Sequence, residues 1–204
     1  MRKLLHAFLI LVVCSLIAAC SKPAEEKSEP PEGESGVETE TTPESTGKVI
    51  TSADGICQVS AIGGWDSAKG LHKKAKLQAS NPYKEMFLVV FTEKKDMFPD
   101  LTLEEHSKAT VKNLRETLTA AYAKPTVQLT LNGNRVLMNE VHGTAGNNMK
   151  IVYIHANIES PFYFHEVLAW TPDKRFKQNQ YALDSVIKSF KEVKASPAGG
   201  TSQP

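Results

Sequence analysis

Cysteine is scarce in this 204-residue chain, which has only Cys14, Cys20 and Cys57. Cys14 and Cys20 lie within or at the end of an N-terminal apolar run. Cys57 is therefore alone in the remainder, which excludes a scaffold stapled by disulfides. A glycine-rich phosphate loop is lacking, because Gly63-Gly64 is followed by Trp65 and no lysine. There is no G-x-S-x-G and no serine in a strand-to-helix elbow, so the familiar serine-hydrolase arrangement is excluded. No dense basic cluster is interleaved with aromatics, which argues against nucleic acid as a partner. Long apolar runs are confined to one place, residues 4–19.

That run follows a basic start, Met1-Arg2-Lys3, and exits through small residues. A charged n-region, an apolar h-region and a small-residue exit form the layout of a secretory signal peptide over residues 1–19. A membrane-spanning helix needs about 20 apolar residues, more than this run offers. Ile17-Ala18-Ala19-Cys20 resembles the bacterial lipobox, in which an aliphatic and two small residues precede a cysteine. The resemblance implies diacylglyceryl (palmitate-type) transfer to the Cys20 sulfur, cleavage after Ala19 and acylation of the new amino terminus. Several acyl chains anchor a protein stably where one is marginal, each buried methylene contributing ~0.8 kcal/mol. Ser21, and not aspartate, comes next. By resemblance to enterobacterial lipoproteins this favours the outer membrane, with the domain on the periplasmic side of the cell envelope.

Residues 21–47 contain no aromatic residue, and Val37 is their one large aliphatic. Eight glutamates face Lys22 and Lys27, a net charge of −6. Such a segment buries too little apolar surface to offset the entropy of ordering. Residues 20–47 therefore read as a lipidated cysteine followed by a disordered acidic tether, extended by prolines and like charges. The tail, 195–204, reads as disordered as well. Between them, residues 48–194 have ordinary composition and the length of a single domain. They carry 20 lysines and arginines against 15 acids, a net charge of +5, opposite in sign to the tether.

Within the domain the pattern is mostly strand. Residues 56–60, 74–80 and 85–92 read as three strands, the last apolar on both faces as a doubly covered central strand would be. From Leu103 the period changes. Leu103, Val111, Leu114, Leu118 and Ala121 form a helical stripe, Thr102 and Glu105 a capping box, and Pro125 a stop. Four more strands follow at 126–131, 135–143, 149–156 and 162–170, with Asn132-Gly133 suited to a tight hairpin. A second helix over 174–190 places Phe176, Leu183, Val186, Ile187 and Phe190 on one face. The expected fold is α+β: a largely antiparallel meander sheet of six to seven strands flanked by two main helices.

This order, with Gly64-Trp65 after a short first strand, MFLVVF before the helix, a tryptophan-ended strand and the closing Ser185-Val186-Ile187-Lys188-Ser189-Phe190, resembles the PsbP-like fold. Within it the chain is similar to the DcrB-like bacterial lipoproteins over residues 50–192. One departure is AIGGW, where relatives often carry proline before the tryptophan. The resemblance implies a membrane-attached accessory or assembly subunit.

Candidate chemistry is sparse. After the signal the histidines are His72, His106, His142, His155 and His165. A composite metal site from His142, His155, His165 and Glu166 can be drawn. Glu166, however, points opposite to His165 on a strand, so the four cannot converge. Asp96 and Asp100 fit loop solubility and the dipole of the following helix. Cys57, sharing a face with Val59, reads as a small buried hydrophobe. Phe162, Phe164, Leu168 and Trp170 would fill one face of the aromatic strand. Tyr163 and His165 on the other face are candidate exposed anchors for a partner. No catalytic set, metal or cofactor is expected.

The reading is a non-enzymatic, lipid-anchored envelope lipoprotein that binds an envelope protein or an anionic surface. A cryptic hydrolase or metal-dependent enzyme is the alternative. The lipobox generates the first testable expectation. Radiolabelled palmitate should enter the wild-type protein and be absent from Cys20→Ala; label persisting in that variant would refute acylation at Cys20.

Overall fold

The computed structural model describes residues 47–193. The expected signal peptide, Cys20, the acidic tether before residue 47 and the tail lie outside the described residues. The elements run β1 (Lys48–Thr51), β2 (Cys57–Ala61), β3 (Asp66–Ser67), β4 (Leu77–Asn81), β5 (Met86–Lys94), α1 (Leu103–Glu116), β6 (Thr119–Ala123), β7 (Val127–Leu131), β8 (Asn134–Thr144), β9 (Lys150–Glu159), β10 (Tyr163–Pro172), α2 (Asp173–Lys188) and β11 (Lys191–Glu192).

Eight strands form one sheet in the order β3-β4-β5-β10-β9-β8-β6, with β7 also paired to β8. All of its ladders are antiparallel. The expected meander is present as β8-β9-β10. Its last strand then turns back to pair with β5, Val90 opposite Val167 and Leu88 opposite Ala169. A small second sheet, β1-β2-β11, stands apart from the first. The α+β, helix-flanked antiparallel architecture expected from the sequence is the one observed, with eight strands in the main sheet in place of six to seven and a second small sheet besides.

The two faces of the large sheet follow from strand alternation. Leu88 and Val90 of β5, Val167 and Ala169 of β10, and Ile154 and Ala156 of β9 point toward α2 and the small sheet. There they join Leu183, Val186, Ile187 and Phe190 with Cys57, Val59 and Trp65. Val89, Leu168, Tyr153 and Val141 point the other way, toward Leu114 of α1. Both central strands are thus covered on both sides, as expected of residues 85–92.

The two helices begin where expected. The Thr102 hydroxyl accepts from the Glu105 amide at 3.2 Å and Glu105 answers on the Thr102 amide at 3.1 Å, completing the capping box. Pro172 precedes the first residue of α2. The end of α1 differs from the expectation of a helix running on toward Pro125. It stops at Glu116, where the Thr117 hydroxyl donates to the Leu114 carbonyl at 2.7 Å. Ala120 then takes a positive φ of 51° and the chain turns into β6. Long-range pairing overrides the helical period here. The hairpin through Asn132 and Gly133 lays β7 along the first half of β8, leaving the second half an open edge that β6 covers. The short strands β1, β3 and β11 carry too few residues for a pattern and are likewise defined by their partners.

Leu118 packs at this junction directly over Gly143 of β8. A Cβ on Gly143 would lie 2.8 Å from the Leu118 Cβ, a stiff part of that side chain. Gly143→Ala is therefore expected to cost about 1–3 kcal/mol by overpacking. Denaturant unfolding would read this as a lowered midpoint with an unchanged slope; an unaltered midpoint would count against the close packing.

Candidate functional site

Three clusters gather the polar chemistry of the domain, and each is built by strand register. The largest lies under α1. Glu166 of β10 and His155 and Asn157 of β9 share the α1 face, and α1 lays His106, Ser107 and Thr110 over them. His155 Nε2 meets Glu166 Oε1 at 2.9 Å, and the Asn157 amide donates to His155 Nδ1 at 3.2 Å. Asn157 Oδ1 accepts from His106 Nδ1 at 2.9 Å and from the Thr110 hydroxyl at 3.2 Å. His106 Nε2 ends the seam on Glu93 at 3.1 Å. Both His106 ring nitrogens are thus engaged, one by Asn157 and the other by Glu93.

Beside this seam the α1 face opens into a small recess of about 40 Å³. Phe87, Trp170 and Tyr153 form an aromatic ladder across β5, β10 and β9, one rung of register. The Phe87 and Trp170 rings stack at 5.5 Å. Trp170, Phe91 and Leu168 line the recess with Glu166 among them.

The second cluster lies on the α2 face. His165 is fully buried, with Nδ1 3.0 Å from the Thr92 hydroxyl and Nε2 2.9 Å from Glu192 of β11. Burial holds its ring below the ordinary value, although Glu192 pulls the other way. Cys57, opposite Glu192 in the small sheet, is fully buried as well, and burial pushes its thiol up to about 11. A thiol held so far above neutrality is not a nucleophile, and it packs as expected of a small hydrophobe.

The third cluster sits at the start of α2. His142 Nε2 lies 2.5 Å from Glu140, its ring stacks on Tyr122 at 4.7 Å, and its Nδ1 is 3.8 Å from Asp173. Burial raises the Glu140 pKa, but hydrogen bonds from Lys124 and His142 and their charges outweigh it and hold the carboxyl below 4.5. The two acids lie on opposite ring nitrogens, so they cannot close on one ion with the imidazole.

Of the composite set His142, His155, His165 and Glu166, the fold brings together only His155 and Glu166. His165 faces the opposite side of the sheet and His142 lies in a separate cluster. Among the described residues no group of three or more histidines, cysteines or acids is arranged to hold a metal ion. Asp96 and Asp100 are exposed. Tyr163 is half-buried and His165 is fully buried, so His165 is not open to a partner. Phe162, expected in the core, precedes β10 and is 71% exposed. The seam through His106 and Asn157 escaped sequence reading. The one available signal was diagonal: His155 and Glu166 fall on the same face of adjoining strands.

This architecture is a PsbP-like fold. No family model matches the chain, and no curated protein matches it. Among solved structures it is similar to the cyanobacterial PsbP (CyanoP) of Synechocystis, with TM-score 0.56 and 13% identity over 79% of this chain and 98% of that one. It is also similar to LpqN of Mycobacterium tuberculosis, described as involved in cell envelope biogenesis, with TM-score 0.53 and 10% identity over 71% and 88%. The Ran-binding protein Mog1p of Saccharomyces cerevisiae matches with TM-score 0.53 and 12% identity over 72% and 95%. These likenesses concern the fold; the DcrB-like placement within it rests on the sequence resemblance.

The buried neutral His165 has a pH signature. A histidine with a depressed folded pKa takes up its proton first in the unfolded chain. Its contribution is complete above 6.5, the ordinary value, and declines as pH falls toward the folded value. His165→Gln, which keeps polar contact with Thr92 and Glu192, is expected to flatten the loss of stability below that pH. Denaturation midpoints across a pH series check this, and an identical acid slope in wild type and variant would refute it.

Proposed function

We propose that this protein is a lipid-anchored bacterial envelope lipoprotein whose PsbP-like domain acts as a binding or accessory module and performs no chemistry of its own. One observation carries the reading: the buried titratable groups are tied to one another within the fold, while the solvent-open recess is walled mainly by apolar and aromatic side chains. His106, His155 and His165 each have both ring nitrogens engaged by protein groups. Surfaces of apolar and aromatic groups with a few placed polar atoms are suited to holding a ligand or partner. Likeness to CyanoP and to LpqN supports an accessory role in the envelope, by analogy of fold.

The charge split gives the idea a specific form. A domain of net charge +5 on an acidic leash is steered toward anionic surfaces, over a screening length of about 10 Å at 0.1 M salt. The membrane partner is reached through the Cys20 lipid, and the outer membrane is the favoured site. Crosslinking of the full lipidated chain in cells, and co-sedimentation with anionic vesicles at low and high salt, test this. A specific crosslinked envelope protein, or vesicle binding that weakens with salt, is the expected result. Failure of both, together with a reproducible hydrolytic turnover lost in Cys57→Ala or His165→Ala, would overturn the reading in favour of an enzyme.

A further inference from the structure

An edge strand with free N–H and C=O groups is a template for another strand, and folded proteins blunt such edges. Most edges of this domain are blunted. On one side of the main sheet the short β3 pairs with Ser80 and Ala79 of β4. The chain after β3 covers the rest of β4, with the Ala68 amide on the Gln78 carbonyl and the Gln78 side chain accepting from the amides of Leu71 and His72. On the other side β6 is irregular: its register against β8 shifts between Thr119 and Tyr122, Ala120 has a positive φ, and Arg115 donates to the Ala121 carbonyl. In the small sheet the outer strands β1 and β11 carry Lys48, Lys191 and Glu192.

β7 has none of these devices. It is regular against β8 over all of Val127–Leu131. From Thr126 to Gly133, TVQLTLNG, there is neither a charge nor a proline. The turn fixes which backbone groups are free. Asn132 and Gly133 have φ of 51° and 81°, as the central residues of a type I′ turn require. Leu131 and Asn134, which flank that turn, then form a hydrogen-bonded pair, and bonding to β8 recurs at Leu129 and Val127. The N–H and C=O groups of Gln128 and Thr130 therefore point outward, where no backbone partner among the described residues meets them.

Side chains sort by the same alternation. Leu129 and Leu131 lie half-buried against the core on the α2 face, and Val127 on that face is 60% exposed. Gln128 and Thr130 stand exposed on the other face. This pattern is its own complement. A second β7 laid antiparallel about Leu129 sets Gln128 opposite the partner's Thr130, and Thr130 opposite the partner's Gln128. These two pairs use the very groups that point outward. Leu129 then meets the partner's Leu129, and Val127 the partner's Leu131, which closes an apolar stripe. With no charge on the strand, no like-charge contact opposes the pairing.

We propose that β7 is a self-association edge, joining two copies of this chain about a two-fold axis at Leu129 into one continuous antiparallel sheet. The axis stands perpendicular to the sheet. Both α1 layers therefore lie on one side of the joined sheet and both α2 layers on the other, so a flat partner meets two equivalent surfaces at once. A seam of this length covers far less than the ~1,600 Å² of a standard stable interface. The dimer is accordingly weak and concentration-dependent in solution. It is independent of the lipid anchor and of any envelope partner.

The test uses the purified chain, residues 20–204 with Cys20→Ser, free of lipid and of other proteins. Sedimentation equilibrium should show monomer and dimer in a ratio that follows concentration. Gln128→Lys with Thr130→Lys sets lysines opposite one another in this register and should raise the dimer dissociation constant at least tenfold. Gln128→Glu with Thr130→Glu should do the same, and an equimolar mixture of the two chains should dimerise at least as tightly as wild type. Both positions are exposed, so denaturation midpoints should be unchanged. Oxidation of Gln128→Cys chains mixed with Thr130→Cys chains reads the register without added charge. The mixture should crosslink and each chain alone should not, since like positions lie beyond the ~7 Å that a disulfide spans. In cells, a photocrosslinking residue in place of Gln128 in the full chain should join two copies. No dimer up to about 1 mM, the weak end of specific association, would overturn the proposal. A dimer indifferent to the lysine pair would overturn it too, as would equal crosslinking in every cysteine combination. Capture of a different envelope protein from position 128, in place of a second copy, would assign the edge to that partner and overturn self-association.

Discussion

The antiparallel pairing of β5 with β10 is the constraint on which the rest of the structure depends. It joins two stretches far apart in sequence and makes one sheet from the β3-β4-β5 group and the β8-β9-β10 meander. Both strands are buried on both faces, so their side chains dictate what each helix can cover. A slip of one residue would exchange the faces of β10. Glu166 would then lie under the small sheet and His165 under α1, each without its partners. The hydrophobic alternation alone resists such a slip weakly, because both faces of these strands are apolar. The polar residues on each face add the discrimination.

The seam from Glu93 to Glu166 shows how a buried polar chain is tolerated. Each ring and amide in it has a partner, and α1 supplies three of them from consecutive turns. Leaving one donor or acceptor unmet in such a place costs about 1–3 kcal/mol, so the seam ties the position of α1 to the register of β9 and β10. Its two ends differ. Glu93 is partly open to solvent beside His106, whereas Glu166 borders the aromatic recess. The stabilising network and the recess therefore share a residue, and any group bound at Glu166 acts on the same hydrogen bonds that hold α1 in place.

CyanoP, LpqN and Mog1p share this fold with little sequence identity, and the descriptions of LpqN and Mog1p name different roles. A fold shared at 10–13% identity transmits its core packing far better than its sites. What distinguishes this protein is the recess, the charge split between residues 21–47 and 48–194, and the lipobox resemblance.

Much of the architecture was legible in the residues themselves. The capping box of α1, the Asn132-Gly133 hairpin, the doubly covered strand through Phe87 and Val90, and the apolar face of α2 rest on local periodicity and turn chemistry, which a linear sequence records directly. The separation of His165 from Glu166 was legible too, since alternation along one strand is local. The end of α1, the strand β6 over Thr119–Ala123 and the two-residue strands β3 and β11 were decided by tertiary structure, because an open edge of β8, β4 or β2 outweighs the weak propensity of a few residues. The burial of His165, the pairing of His155 with Glu166, the reach of His106 to Asn157 and the aromatic recess depend on which strands become neighbours and which helix lies over them. Contacts between distant segments leave no period in the sequence, so the helices and most strands of this protein were written in its residues, whereas its candidate site came into being only when β10 paired with β5.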